Sequence, residues 1–229
     1  MSLSALQSDV QPGFTESEVS ETVKAFARGD LVLVKGDIGY GLLGNSERAI
    51  RKMYEAKGRP HSNPCITIGN LDILSDVALV PNSAIGEWIK NTAAWTTLAV
   101  VLPVNPHSKL LATLSPWVYG QTVTNQTIAV FLNVGPFLEQ IIARARRQNM
   151  LVVGSSANPS SHGNIYQFSE IPDHLKLVAD FAINHGESKY ANPERKATTI
   201  VNFTNWSVKR RGVNWEKIEP GFLALKTNS

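Results

Sequence analysis

Three short stretches carry residue types suited to handling an anion. Lys57-Gly-Arg-Pro-His-Ser-Asn-Pro64 puts two cations two residues apart and follows them with an amide, in a loop stiffened by Pro60 and Pro64. A guanidinium grips two oxygens at once, so Lys57, Arg59 and Asn63 together suit phosphate. The same cations could instead do no more than stabilise the C-terminus of their own helix. Gly154-Ser-Ser-Ala-Asn-Pro-Ser-Ser161 follows the apolar run Met150 to Val153. Small hydroxyl residues at the carboxyl end of a strand offer amides and short side chains to an anion, and open α/β sheets place ligands there; an ordinary Ser/Asn/Pro loop has the same composition. Lys209-Arg-Arg-Gly212 ends the last apolar run, where cations either close an anionic pocket or guard a sheet edge.

A fourth stretch, Gly39-Tyr-Gly-Leu-Leu-Gly44, matches G-x-G-x-x-G between a strand and a helix. Its first glycine comes late after the strand, Leu42 and Leu43 are bulky for a phosphate cradle, and no acidic residue ends a strand about 20 residues on. A plain glycine-rich turn is the expectation. There is no G-x-S-x-G elbow, Walker A loop or H-E-x-x-H pair, and His61, His107, His162, His174 and His185 lack metal-ligand spacing. The lone Cys65 excludes a disulfide framework or a Cys-based zinc site and points to a reducing, cytoplasmic compartment.

These groups must be held by a core, and 229 residues with 43% hydrophobic and 18% charged composition can build one. No apolar run is long enough for a membrane helix, and the first residues lack the charged start and apolar centre of a signal peptide. Residues 1–14 read as a flexible lead-in and 15–229 as a single domain. Net charge is +3, mildly basic, which fits an anionic ligand without indicating nucleic acid. Thr15 to Glu18 is a capping box, with Val19, Val23 and Phe26 at helical spacing behind it. Helices are predicted near 46–57, 71–78, 83–90 and 137–147. Strands are predicted at 31–35, 65–68, 97–102, 127–132, 150–153, 181–183, 198–203 and 207–211. Alternation with short connections predicts an α/β (α+β) fold, a mixed sheet with helices around it.

In the same order, these segments resemble the YrdC-like (Sua/YciO/YrdC) family. The family's P-T-(D/E)-T-x-Y-G-L reads Lys35-Gly-Asp-Ile-Gly-Tyr-Gly-Leu42, and K-x-R-P-x-x-N-P is matched in every fixed position by Lys57 to Pro64. T-V-(A/G)-V-R-I-P appears as Thr127-Ile-Ala-Val-Phe-Leu-Asn133, P-S-A-N-x-S-G as Ser155 to Ser161, S-T-V-V-D as Thr198 to Asn202, and L-R-P-G as Lys209 to Gly212. The resemblance spans about residues 16–220. It implies a twisted mixed sheet flanked by helices (a YrdC-like, DHBP synthase-like fold) around a positive concave surface. It also implies a nucleotidyltransferase that makes L-threonylcarbamoyladenylate from threonine, bicarbonate and ATP, releasing pyrophosphate, for tRNA modification at adenosine 37.

Carried over by position, Lys57 and Arg59 are the catalytic candidates. Arg59, Asn63, Thr127, Ser156, Asn158 and Arg210 are the ATP-binding candidates, with Mg2+ accompanying the nucleotide. The acceptor pocket falls on Ile38, Tyr40, Ile68, Phe131 and Thr198. It departs from the family pattern, because the motif threonines are Gly36 and Ile38, a frequent histidine is Ile68, and the arginine of V-R-I-P is Phe131. Phenylalanine replaces neither the charge nor the bidentate fork of an arginine facing a carboxylate. Two alternatives follow: a paralogue that binds ATP but uses another acceptor, and a non-catalytic protein binding tRNA or double-stranded RNA on its basic face.

Overall fold

A computed structural model describes residues 13–159 and 162–227. Most of the expected lead-in, and Ser160 and Ser161 of the serine-rich loop, lie outside the described residues. The first helix, α1 (Glu16–Ala27), begins at its capping box: Glu18 N donates to Thr15 Oγ1 at 3.2 Å, and Thr15 N donates to Glu18 Oε2 at 2.6 Å. Two helix-start donors are thereby satisfied, and Val19, Val23 and Phe26 face the core.

β1 (Val32–Gly36) turns at Asp37 and Ile38 directly into β2 (Gly39–Gly44), its antiparallel neighbour. The expected glycine-rich turn is therefore a strand. Leu42 and Leu43 are 0% and 2% exposed, and burial of these consecutive residues on opposite faces holds the glycines in extended backbone inside the sheet. Gly39 has φ +143, and a Cβ there would lie 2.8 Å from both Asn164 Nδ2 and Ile165 O, so no other residue fits.

Next come α2 (Glu47–Ala56), β3 (Ile66–Ile68), α3 (Leu71–Val77), α4 (Ser83–Ala93) and β4 (Leu98–Pro103), close to their predicted positions. An unpredicted helix, α5 (Pro116–Thr122), starts on Ser115, whose hydroxyl accepts from Val118 N, with Pro116 in the first turn where its missing N–H costs nothing. β5 (Val123–Thr124) and β6 (Thr127–Leu132) form a hairpin, and α6 (Pro136–Arg147) follows.

The strand expected at 150–153 is instead β7 (Val153–Ser156), because residues 148–150 still bond back to the last turn of α6. Ser155 and Ser156 pair with Leu42 and Gly41 of β2, so this serine pair belongs to the sheet and the loop starts after it. The chain ends with α7 (Asp173–Val178), β8 (Phe181–Ala182), β9 (Thr199–Asn202), β10 (Ser207–Arg210) and α8 (Trp215–Thr227). Pro220-Gly221 hid α8 in the sequence. Tertiary packing holds it: Phe222 is buried among Trp88, Phe203, Trp206 and Trp215, and Trp88 Nε1 approaches so near that a Cβ on Gly221 would lie 2.6 Å away.

The strands form one mixed, ten-stranded sheet in the order β10-β9-β4-β6-β3-β7-β2-β1-β8, with β5 beside β6. Helices α1, α2, α3, α4 and α6 pack on its strands. Among the described residues no helix is long and apolar enough to cross a membrane.

Candidate functional site

Side chains alternate across a strand, so residues two apart share a face. Thr127, Ala129 and Phe131 of β6, Ile66 and Ile68 of β3, Ile200 and Asn202 of β9, and Gly39, Gly41 and Leu43 of β2 all line one cleft of about 610 Å³. Glycines on β1, β2 and β7 (Gly36, Gly39, Gly41, Gly154) deepen its floor.

Of the twelve residues singled out in the sequence, ten border this cleft: Arg59, Asn63, Thr127, Ser156, Arg210, Ile38, Tyr40, Ile68, Phe131 and Thr198. Arg59 is held by its own loop, with Nε donating to Asn63 O at 3.1 Å and NH2 to Pro64 O at 2.8 Å. Tyr54 on α2 braces that loop through its hydroxyl, 2.7 Å from Asn63 O, and burial pushes the phenol pKa up. Arg210 Nε donates to Thr198 O at 2.8 Å, which ties the last strand to the cleft wall; burial lowers its pKa from the ordinary guanidinium value, yet the group stays cationic. Thr127 Oγ1 donates to Thr124 O, and Ser156 Oγ bonds Asn158 Oδ1.

Lys57 and Asn158 are placed otherwise. Lys57 is only 6% exposed and lies behind the cleft, its Nζ donating to Ser155 Oγ at 2.9 Å and to Ser156 O. Burial, with Arg59 second, pulls its pKa down to about 7. Asn158 turns its amide inward to His162 O and Gly163 O, closing its own loop. Tyr40 borders the cleft, but its ring is 1% exposed and its hydroxyl sits 3.1 Å from Asn184 Oδ1 and 2.8 Å from Gly186 O, so it braces the wall.

Lys209, from the basic run that the sequence marked as able to close an anionic pocket, adds a third cation. The cleft also takes residues that no motif had marked as a site. Thr124 and Asn125 come from the β5–β6 hairpin turn, where Asn125 has φ +50, a turn signal visible in the sequence. Asn164 carries no such signal; its side chain donates to Ile38 O, 126 residues away in the chain. Cys65 lines the wall, but burial pushes its thiol up to about 11, so it is not a thiolate nucleophile.

Charge is unevenly distributed. Arg59, Lys209 and Arg210 border the cleft, and none of the described residues lining it is acidic. Around Phe131 the wall is apolar: it pairs with Ile68 on β3 and with Ala99 on β4, which pairs in turn with Ile200 on β9. Ile38 joins this end because Asp37 N donates to Val134 O just past β6. Among the described residues no group of three or more His, Cys, Asp or Glu could hold a metal ion. Among the described residues the lining offers neutral oxygens (Asn63, Thr127, Ser156) and no carboxylate, so these residues supply no anionic ligand for Mg2+.

The model of the Sua5_yciO_yrdC family, described as "Telomere recombination", matches residues 24–212. Among solved structures, P. abyssi Sua5 complexed with L-threonine superposes with a TM-score of 0.72 at 21% identity, covering 91% of this chain and 58% of that one. The hypothetical protein smu.1377c from Streptococcus mutans UA159 gives 0.74 at 19% identity, covering 96% and 94%, and E. coli YciO gives 0.69 at 19%, covering 87% and 91%. At these identities the likeness is one of fold, and the chain spans 58% of the length of P. abyssi Sua5. No curated protein matches the chain in sequence.

Proposed function

We propose, from the premise that the chain belongs to the Sua5_yciO_yrdC family, that its cleft binds ATP and passes the adenylyl group to a small oxygen nucleophile, releasing pyrophosphate. The observation that carries this reading is three cations on one glycine-floored cleft with no acidic lining residue among the described residues. Arg59, Lys209 and Arg210 would hold the phosphates, and Asn63, Thr127 and Ser156 would add hydrogen bonds. In-line displacement at the α-phosphorus asks for positioning and charge neutralisation, with no covalent intermediate on the protein. Mg2+ would arrive as part of Mg-ATP, held by phosphate oxygens.

The structure of P. abyssi Sua5 with L-threonine supports threonine as the acceptor and threonylcarbamoyladenylate, for tRNA modification, as the product. In that reaction the threonine amine attacks bicarbonate with loss of water, and an oxygen of the resulting carbamate attacks the α-phosphorus of ATP and displaces pyrophosphate. Purified protein with Mg-ATP, bicarbonate and threonine should release pyrophosphate in a threonine-dependent way. Calorimetric ATP binding without threonine-dependent release would reject threonine and keep the nucleotide site; no ATP binding would reject the whole reading. A second reading keeps ATP and changes the acceptor. The Phe131 wall favours it, since a zwitterion with a hydroxyl finds no charged partner there.

A further inference from the structure

The cleft sorts its walls by polarity, and strand register gives the scale. Arg59 is anchored at Pro64 O, four residues before Ile68 and so at most about 13 Å from it along the chain. Arg210 pairs with Ile200 and so lies three strands across from Phe131 (β10 to β9 to β4 to β6), about 14 Å away at the usual inter-strand spacing. The bond from Arg210 Nε to Thr198 O holds the guanidinium against the start of β9, the next strand toward Phe131. Arg210 thus sits directly across from Ile200, at the edge of the apolar wall, and neither guanidinium is anchored beside Phe131 or Ile68. A second substrate beside the nucleotide therefore meets cations at one end and hydrocarbon at the other.

The same lining opposes an ammonium. Arg59, Lys209 and Arg210 would repel it, and among the described residues no acidic side chain lines the cleft to receive it. A carboxylate has the opposite fate, because guanidinium and ammonium groups are its natural partners. Phe131 at 9% exposure and the half-buried Ile200 offer apolar contact area to a tail.

We infer that the molecule adenylylated here is an apolar monocarboxylate, its carboxylate turned to the cations and its tail against Phe131, Ile68 and Ile200. This rests on the adenylyl-transfer reading and names its acceptor. One carboxylate oxygen attacks the α-phosphorus and forms a P–O bond. The bridging bond between the α and β phosphates breaks, and its electron pair leaves with pyrophosphate. The product is an acyl adenylate, and the step needs no bicarbonate, oxidant or added proton. Phe131 is then the residue that determines specificity.

Isovalerate and phenylacetate are suitable probes, set against threonine with bicarbonate, in pyrophosphate release from Mg-ATP and in calorimetric binding of each acid and of Mg-ATP separately. At least one acid should stimulate release about tenfold more than threonine does, a difference of about 1.4 kcal/mol in transition-state binding. Phe131→Arg should lose that stimulation about tenfold while Mg-ATP affinity stays within about twofold, and Phe131→Leu should retain it. If the buried arginine prevents folding, Ile200→Lys at the half-buried rim tests the same wall. The inference is overturned if threonine matches or exceeds both acids, if Mg-ATP binds and neither acid does, or if the Arg and Lys variants leave acid dependence unchanged. Phe131-dependent acid binding without Mg-ATP binding would sink the nucleotide reading and leave the apolar-carboxylate site standing. Binding of neither would overturn both.

Discussion

The most informative single perturbation is Lys57→Met. Lys57 is buried behind the cleft, and its pKa falls from the ordinary 10.5 to about 7, chiefly through burial. Below pH 7 the side chain is charged in both states, so the folded protein carries the whole cost of burying that charge. As pH rises through 7 the folded state releases the proton while the unfolded chain keeps it until about 10.5, so unfolding free energy rises. The full shift corresponds to about 5 kcal/mol, at about 1.4 kcal/mol per pKa unit. Between about pH 6 and about pH 8.5 this one group should add about 2 kcal/mol to stability. Cys65, whose thiol moves from 9.0 to about 11, acts in the opposite direction but only above that window. Methionine keeps the unbranched stem and drops the charge. It also leaves Ser155 Oγ and Ser156 O without their donor, a cost of about 1–3 kcal/mol that does not vary with pH. Urea unfolding of both proteins across the window gives the difference in slope, from which the five histidines cancel. The wild type should gain about 2 kcal/mol more than Lys57→Met over this range. Equal slopes would refute the burial account of Lys57.

Arg59→Ala should weaken Mg-ATP binding about ten- to hundredfold in calorimetry, the loss expected for charge-assisted hydrogen bonds, with Lys209 and Arg210 retaining the remainder. Its thermal midpoint should move little, since it gives up two bonds to carbonyls of its own loop and a 5.8 Å contact over the Tyr54 ring, each a small term at a part-exposed site. Gly39→Ala should destabilise by about 2 kcal/mol or more, because alanine resists φ +143 and its methyl would meet Asn164 Nδ2 and Ile165 O. That is a fall of about 4–8 °C in a thermal melt for a chain of this size, and an unchanged midpoint would show that the hairpin yields more easily than its geometry implies.

Local signals were legible wherever the chain solves its problem with near neighbours. The capping box of α1, the apolar periodicity of α2 and α6, and β6 from Thr127 to Leu132 follow from spacing alone. Long-range packing decided the rest. Gly39 to Gly44 contains turn residues and is a sheet strand because β1 and β7 flank it. Pro220-Gly221 reads as a break and lies inside a helix because Trp88 fills the space beside Gly221.

The candidate site divides along the same line. The sequence by itself determined the chemistry available: Arg59 with Asn63, a serine pair after an apolar run, an arginine on the last strand, and Phe131 where the family pattern has an arginine. Only the tertiary structure decided which of these share a cleft. Parity on β6 turns Thr127 and Phe131 to one face, the pairing of β10 with β9 brings Arg210 in, and the approach of Asp37 to Val134 carries Ile38 to the apolar end. Burial made the other division, setting Lys57 behind the wall and turning Asn158 into its own loop. Residue type fixes what a side chain can do. Where it acts depends on sheet register and burial, which arise from contacts between residues far apart in the chain.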